Sequence, residues 1–290
     1  MKAKKRITER DVRLLMTFLA DRGQRSAALA KLQLKSVLRQ RPSYRKVLEN
    51  ADDPELAREA RLFLEETRLE MLVDAFRALA AEGEDLNLER GAFLLATLAY
   101  PQLRPSQVSG ALNRMAADIQ ARQPVAELPS DAEQAAVLRR YLFEQQGFVG
   151  NERQYYDPDN SFINRVLERR TGIPITLSCV YLFVAWRLGL PAHGVGLPGH
   201  FIVAHGRSPA VVYLDPFHGG RLLTRNDCVA IVRRRGVSFQ DAFLERTSPR
   251  QILLRMILNL MNLYTEQGAT ARAQWLSGLL GLLQDGGGAV

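Results

Sequence analysis

The chain predicts an α+β fold, and three features carry that expectation. Residues 174–188, PITLSCVYLFVAWRL, are apolar nearly all round, the pattern of a helix buried on every side. After them, 192–196, 201–205 and 211–214 are short apolar runs separated by a PG turn at 198–199 and GRSP at 206–209, the pattern of antiparallel strands. On both flanks of this core, apolar residues recur at helical spacing.

Composition bounds the function classes. At 290 residues, 47% hydrophobic and 24% charged, the usage is that of a globular protein. The longest unbroken apolar run, VYLFVAW at 180–186, is far short of the roughly 20 residues that span a bilayer, so no membrane partner is expected. No apolar core of about 7 to 15 residues and no small-residue cleavage site follow the basic start MKAKKRITER, which predicts a cytoplasmic location. Cys179 and Cys228 are too few for a disulfide framework and lie in no CxxC pair, and there is no GxGxxG or GK[ST] loop. Neither a metal nor a cofactor is expected. Charge is uneven: the first 50 residues carry a net +10 and the other 240 a net −2. That excess reads either as solvated helical faces or as a surface for phosphate-bearing partners, so nucleic acid is a possible partner through residues 1–50.

The elements follow in order. Thr8 and Asp11 form a capping-box start ahead of Val12, Leu15, Met16 and Leu19. A second helix should run from about Ser26 and stop before Pro42. Asp52 or Asp53 caps a third ahead of Pro54, in which Leu56, Ala60, Phe63, Leu69, Leu72 and Phe76 keep the helical period. This helix, turn, DPE, helix rhythm resembles a HEAT-type repeat and defines a basic helical segment over 1–83. Two further helices are split by Pro101, and Ser130 with Glu133 caps another that Gly147 ends. Asp157–Asn160 is turn chemistry; Asn160 or Ser161 caps a short helix that Gly172 stops, and Pro174 opens the central helix that Gly189 closes. Thr224 with Asp227 caps a helix holding Cys228. Residues 248–284 carry Leu and Met at helical spacing around a QGA break, a helical hairpin whose apolar face should pack on the core, and 285–290 reads as a flexible tail.

The segment YYDPDNSFINRVLERRTGIPITLSCVYLFVAWRLGL, then PGHFIV and LDPFHGG, resembles the SirB transglutaminase-like family of the papain-related superfamily. LERGAFLLATLAYPQL before it and QILLRMILNLMNLYTEQGATARAQWL after it are similar to that family too, so the likeness covers roughly residues 70–285. The resemblance implies a transglutaminase-like domain over 84–247 and a TPR-like hairpin over 248–284. It also implies a thiol chemistry in which a cysteine opens the central helix, a strand histidine is its base and an aspartate orients that histidine.

By motif position His200 takes the place of the base and Asp215 that of the orienting residue. The nucleophile position, fifteen residues before Gly189, falls on Pro174, which has no nucleophilic atom. Cys179 lies five residues further on, a net rotation of about 140° and a rise of about 7.5 Å, so it should face away. Ser178 is only about 40° off the expected face but lies inside the helix, where the dipole helps less. Three readings of His200 and Asp215 stay open: a buried hydrogen bond that ties strands together, a vestigial cleft that binds a peptide, carboxylate or small ligand, and catalysis with Cys179 or Ser178. Tyr155, Tyr156 and Asn160 are candidates for lining that cleft, although Asp157 and Asn160 also read as plain turn and cap residues. His193, His205 and His218 read as surface or turn residues that do not converge with His200. The reading that follows is a non-catalytic regulatory or scaffold protein with a protein or peptide partner, a pseudoenzyme. Its rival is a cysteine or serine acyl-transferase or hydrolase.

Overall fold

The computed structural model describes residues 7–21, 24–207 and 211–285. The first six residues, part of the GRSP turn and residues 286–290 of the expected tail lie outside them. By its internal contacts the chain divides into two units, Met1–Ala75 and Phe76–Val290.

The first unit holds α1 (Glu9–Thr17), α2 (Gln24–Gln40), α3 (Arg45–Glu49) and most of α4 (Pro54–Ala80). The capping box forms: the Thr8 N–H donates to the Asp11 carboxylate at 2.8 Å and the Asp11 N–H donates to the Thr8 hydroxyl at 3.3 Å. Asp53 is the cap of α4, accepting from the Leu56 N–H at 2.8 Å. Val12, Met16, Leu34, Val37, Leu48 and Phe63 form the core. Several of the basic residues are neutralised within the unit, Lys31 by Glu66 and Lys35 by Glu70, both at 2.7 Å, and Arg13 by Glu9 at 3.0 Å.

The second unit opens with α5 (Leu88–Ala99), α6 (Pro105–Arg122) and α7 (Asp131–Arg139). The last runs directly into a π-helical turn, Arg140–Gln145, before Gly147 reverses the chain at φ 73°. Next come β1 (Val149–Gly150), a 3₁₀ turn at Pro158–Ser161, α8 (Ile163–Arg169) and β2 (Thr171–Gly172). The central helix α9 (Pro174–Arg187) follows, then β3 (Ala192–Val195), β4 (Ile202–His205), β5 (Val212–Asp215) and β6 (Arg221–Leu223). The chain closes with α10 (Arg225–Arg233), α11 (Pro249–Glu266) and α12 (Thr270–Asp285).

The architecture is α+β. The four strands form an antiparallel sheet in sequence order, registered by Gly194↔Val203, Val203↔Leu214 and Leu214↔Leu222. Helix α9 is buried from Pro174 through Ala185, as its all-round apolar pattern requires, and packs on β3 and β4. Cys228 and Val232 of α10 join Val195, Ile202 and Leu223 in a core that covers the sheet. Helix α11 packs on α5 and α9, and α12 packs on α11, so the hairpin lies on the core.

Three local expectations are corrected. Asn160 does not cap α8: it belongs to the separate 3₁₀ turn, which Asp157 caps by accepting from the Asp159 N–H at 3.0 Å. Gly172 does not stop α8 either; Arg170 does, at φ 60°, and Gly172 instead pairs with Gly150 in a two-residue parallel ladder. His205 is not a surface residue. It is fully buried in β4, with its Nδ1 2.7 Å from the Tyr181 hydroxyl of α9.

Candidate functional site

Asp215 ends β5, and the loop after it folds back so tightly that one carboxylate serves both strands and turn. Its Oδ1 accepts from the Phe217 and His218 backbone N–H groups at 3.1 and 3.4 Å. Its Oδ2 lies 2.8 Å from His200 Nε2 and 2.7 Å from His218 Nδ1. Sequence reasoning paired His200 with Asp215 and missed His218. The signal was present in LDPFHGG: three residues after an aspartate, within a turn closed by two glycines, a side chain folds back onto that aspartate.

Asp215 is 2% exposed. Burial pushes its carboxyl up, but the hydrogen bonds and charges of His200 and then His218 outweigh that and hold it below the usual carboxylate range. An ionised carboxylate can only accept, so both imidazoles donate to it. In their neutral forms this fixes the tautomers: His200 keeps a basic Nδ1 and His218 a basic Nε2. The three side chains offer ligand atoms within 4.8 Å of one another, a donor set that could also hold a divalent cation.

The surroundings fix this geometry from four directions. The His200 N–H closes the Pro198–Gly199 turn on the Leu197 carbonyl at 3.1 Å, with Gly199 at φ 69° as a type II turn demands. Arg255 of α11 donates to the carbonyls of Leu197 and His200 at 2.8 and 2.6 Å, and its guanidinium stacks on Phe201. The Gly150 N–H of β1 donates to the Phe217 carbonyl at 2.8 Å. Gly220, at φ 71°, is covered so closely by Phe143 of the π turn that no Cβ would fit.

The tyrosines stand beside this cluster. Tyr155 packs edge-on against Phe217 and Tyr156, and Phe217 packs edge-on against both imidazoles. Tyr155 and Tyr156 also line a cavity of about 160 Å³ with Ile173, Asn259, Asn262 and Leu263. Asn160 is 1% exposed and its amide is spent on the loop. It donates to the carbonyls of Gln154 and Tyr155 and accepts from Asn151, while its own carbonyl accepts from the Thr176 hydroxyl of α9 at 2.6 Å. It builds the tyrosine loop and anchors it to the start of α9.

Neither candidate nucleophile bonds to an imidazole. Pro174 occupies the first turn of α9. The Ser178 hydroxyl turns back to the Pro174 carbonyl at 2.8 Å. The Cys179 thiol is fully buried, 3.9 Å from the Met256 sulfur of α11, and burial pushes its pKa up to about 12. Cys228 is also fully buried, and burial with the neighbouring Asp227 charge pushes it up to about 11.

A buried helix packed on an antiparallel sheet, with a histidine and an aspartate meeting at adjoining strand ends, defines a transglutaminase-like protein. The chain belongs to the Transglutaminase-like superfamily, whose pattern matches residues 106–258. It is similar to a UPF0162 protein of Xylella fastidiosa, 35% identical over 211 residues that cover 70% of this chain and 74% of that one. A UPF0162 protein of Pseudomonas aeruginosa is 32% identical over 184 residues, 62% of this chain and 66% of the relative. The human F-box only protein 21 is 31% identical over 166 residues, which are 54% of this chain but 26% of that protein. No solved structure matches the chain significantly. Among the described residues, no helix is long and apolar enough to cross a membrane.

Proposed function

We propose that this chain is a non-catalytic, SirB-type transglutaminase-like protein, a regulatory or scaffold module of the cytoplasm that binds a peptide segment of a protein partner beside the His200–Asp215–His218 cluster. One observation carries the reading: the start of the central helix, where the superfamily's thiol belongs, is Pro174, while the nearest thiol, Cys179, is buried against Met256 and held protonated at neutral pH. A base and its orienting carboxylate without a nucleophile can still bind, because the basic imidazole nitrogens accept hydrogen bonds. Tyr155 and Tyr156 add aromatic surface, and Asn259 and Asn262 offer amides at the adjacent cavity. The similar region of F-box only protein 21 is a minor part of a longer chain, in line with a portable binding module. Two unpaired, buried cysteines accord with a reducing compartment.

The test is alkylation of the native protein near neutral pH, read by mass spectrometry. Cys179 should stay unmodified until the protein is denatured. Rapid labelling that disappears in a His200→Ala variant would restore the acyl-transfer or hydrolase reading with Cys179, and a covalent acyl adduct on Ser178 would do the same for serine.

A further inference from the structure

A second cavity, of about 600 Å³, opens where α6, the π turn and α8 meet. None of its lining residues belongs to the cluster around Asp215. Its apolar wall includes Leu103, Val108 and Leu167, and Tyr141 reaches it from the π turn. Turns of this kind insert a residue into a helix and are found disproportionately at functional sites.

Two polar groups in this wall lack the partners that folding normally supplies. The Asn164 Oδ1 atom is buried with no hydrogen-bond donor among the described residues. Arg170 is the one non-glycine residue with positive φ among the described residues, a conformation that disfavours any side chain bearing a Cβ. Its guanidinium rests on Phe148, 4.7 Å from the ring centroid, and among the described residues its only hydrogen-bond contact is the Met115 sulfur at 3.9 Å. Burial lowers its pKa, a cost that an anion would offset. The charges around it favour an anion. Asp118 is neutralised by Arg122 and Glu168 by Arg165, whereas neither Arg170 nor Arg114 has a carboxylate partner among the described residues.

We propose that this cavity binds a small organic carboxylate, with the carboxylate on Arg170, a neighbouring amide N–H or hydroxyl donating to Asn164 Oδ1, and the remainder against the apolar wall. The volume suits a molecule of metabolite size. An uncompensated guanidinium and an orphaned acceptor together ask for an anion carrying a donor, which water or chloride alone does not supply.

The probe is N-acetylglycine, a carboxylate with an adjacent amide N–H, titrated into the full chain and followed by the Asn164 side-chain amide and Arg170 Nε–H resonances. Saturable shifts are expected in the millimolar range, on the order of what so small a ligand can reach. The neutral N-acetylglycinamide and plain acetate should each bind at least about tenfold more weakly, because one lacks the charge and the other the donor. Arg170→Gln should abolish the response. Arg170→Gly, whose backbone accepts the left-handed conformation without strain, guards against a misfolded variant: it should fold as the parent does and still fail to bind. Equal binding of either control, no saturable shift, or an unchanged titration in the two Arg170 variants would overturn the proposal.

Discussion

His205 shows how one buried side chain writes a pH dependence into the whole protein. Burial presses its pKa down to about 4, against the opposing pull of Asp131, and its Nε2 has no partner among the described residues. The unfolded chain protonates this imidazole at about pH 6.5, so between about pH 6.5 and 4 the unfolded state binds the extra proton and stability falls with pH. The loss across that window is on the order of 3 kcal/mol. Asp215 acts lower. Its folded pKa lies below the ordinary carboxylate value, so its contribution is present above about pH 4 and is lost as pH falls through the folded value. Denaturant melts over a pH series should therefore show a two-stage decline. His205→Gln should flatten the upper stage and Asp215→Asn the lower; a profile that stays flat down to about pH 4.5 would contradict the buried neutral imidazole.

At the level of elements, the candidate site depends on parts far apart in sequence. Thr176 ties the first turn of α9 to Asn160, Asn160 holds the tyrosine loop, and Arg255 reaches from α11 to the carbonyls on either side of the Pro198–Gly199 turn. Helix α11 therefore does more than cover the core, because it holds the loop that presents His200. Arg255→Leu keeps the apolar packing but leaves two carbonyls without their charged donor. We expect it to cost roughly 2–4 kcal/mol in chemical denaturation and to broaden the His200 ring resonances, while those of His205, held by Tyr181, stay sharp. A loss confined to stability, with His200 unchanged, would show that the turn holds itself.

At the scale of the whole molecule, the charge asymmetry of the chain is partly discharged by folding. The ion pairs of Lys31, Lys35 and Arg13 with acids of their own unit argue against one continuous basic face, so any affinity for nucleic acid should be modest. If it rests on residues 1–50, it should drop by a large factor between about 50 and 200 mM salt, as counterion release dictates. A binding constant indifferent to salt would exclude the basic segment as its source. The same scale shows what the sequence made legible. Helix α9 could be read because Pro174 and Gly189 punctuate a stretch apolar nearly all round, and the strands because the PG and GRSP turns separate them. The β1–β2 ladder could not, since two residues carry no periodicity. Nor could β6, where Arg221 and Leu222 are exposed and only Leu223 is buried. The meeting of His218 with Asp215 depends on how a loop folds back, and the fates of Cys179 and Ser178 depend on which neighbour each helix face meets. Spacing predicted that Cys179 would face away; only packing supplied Met256 as what it meets.

The π turn after α7 amounts to one surplus residue stored inside a helix. In the language of insertion and deletion, it makes chain length, and not only composition, a determinant of the site. Removing a single residue ahead of Phe143 within Arg140–Gln145 would let the turn close in α form and rotate Phe143 by about 100° about the helix axis. Phe143 would then leave Gly220, and the loop that joins Asp215 to His218 would lose its floor. A one-codon deletion there, with His200, Asp215 and His218 all intact, should unseat the cluster as surely as replacing one of them.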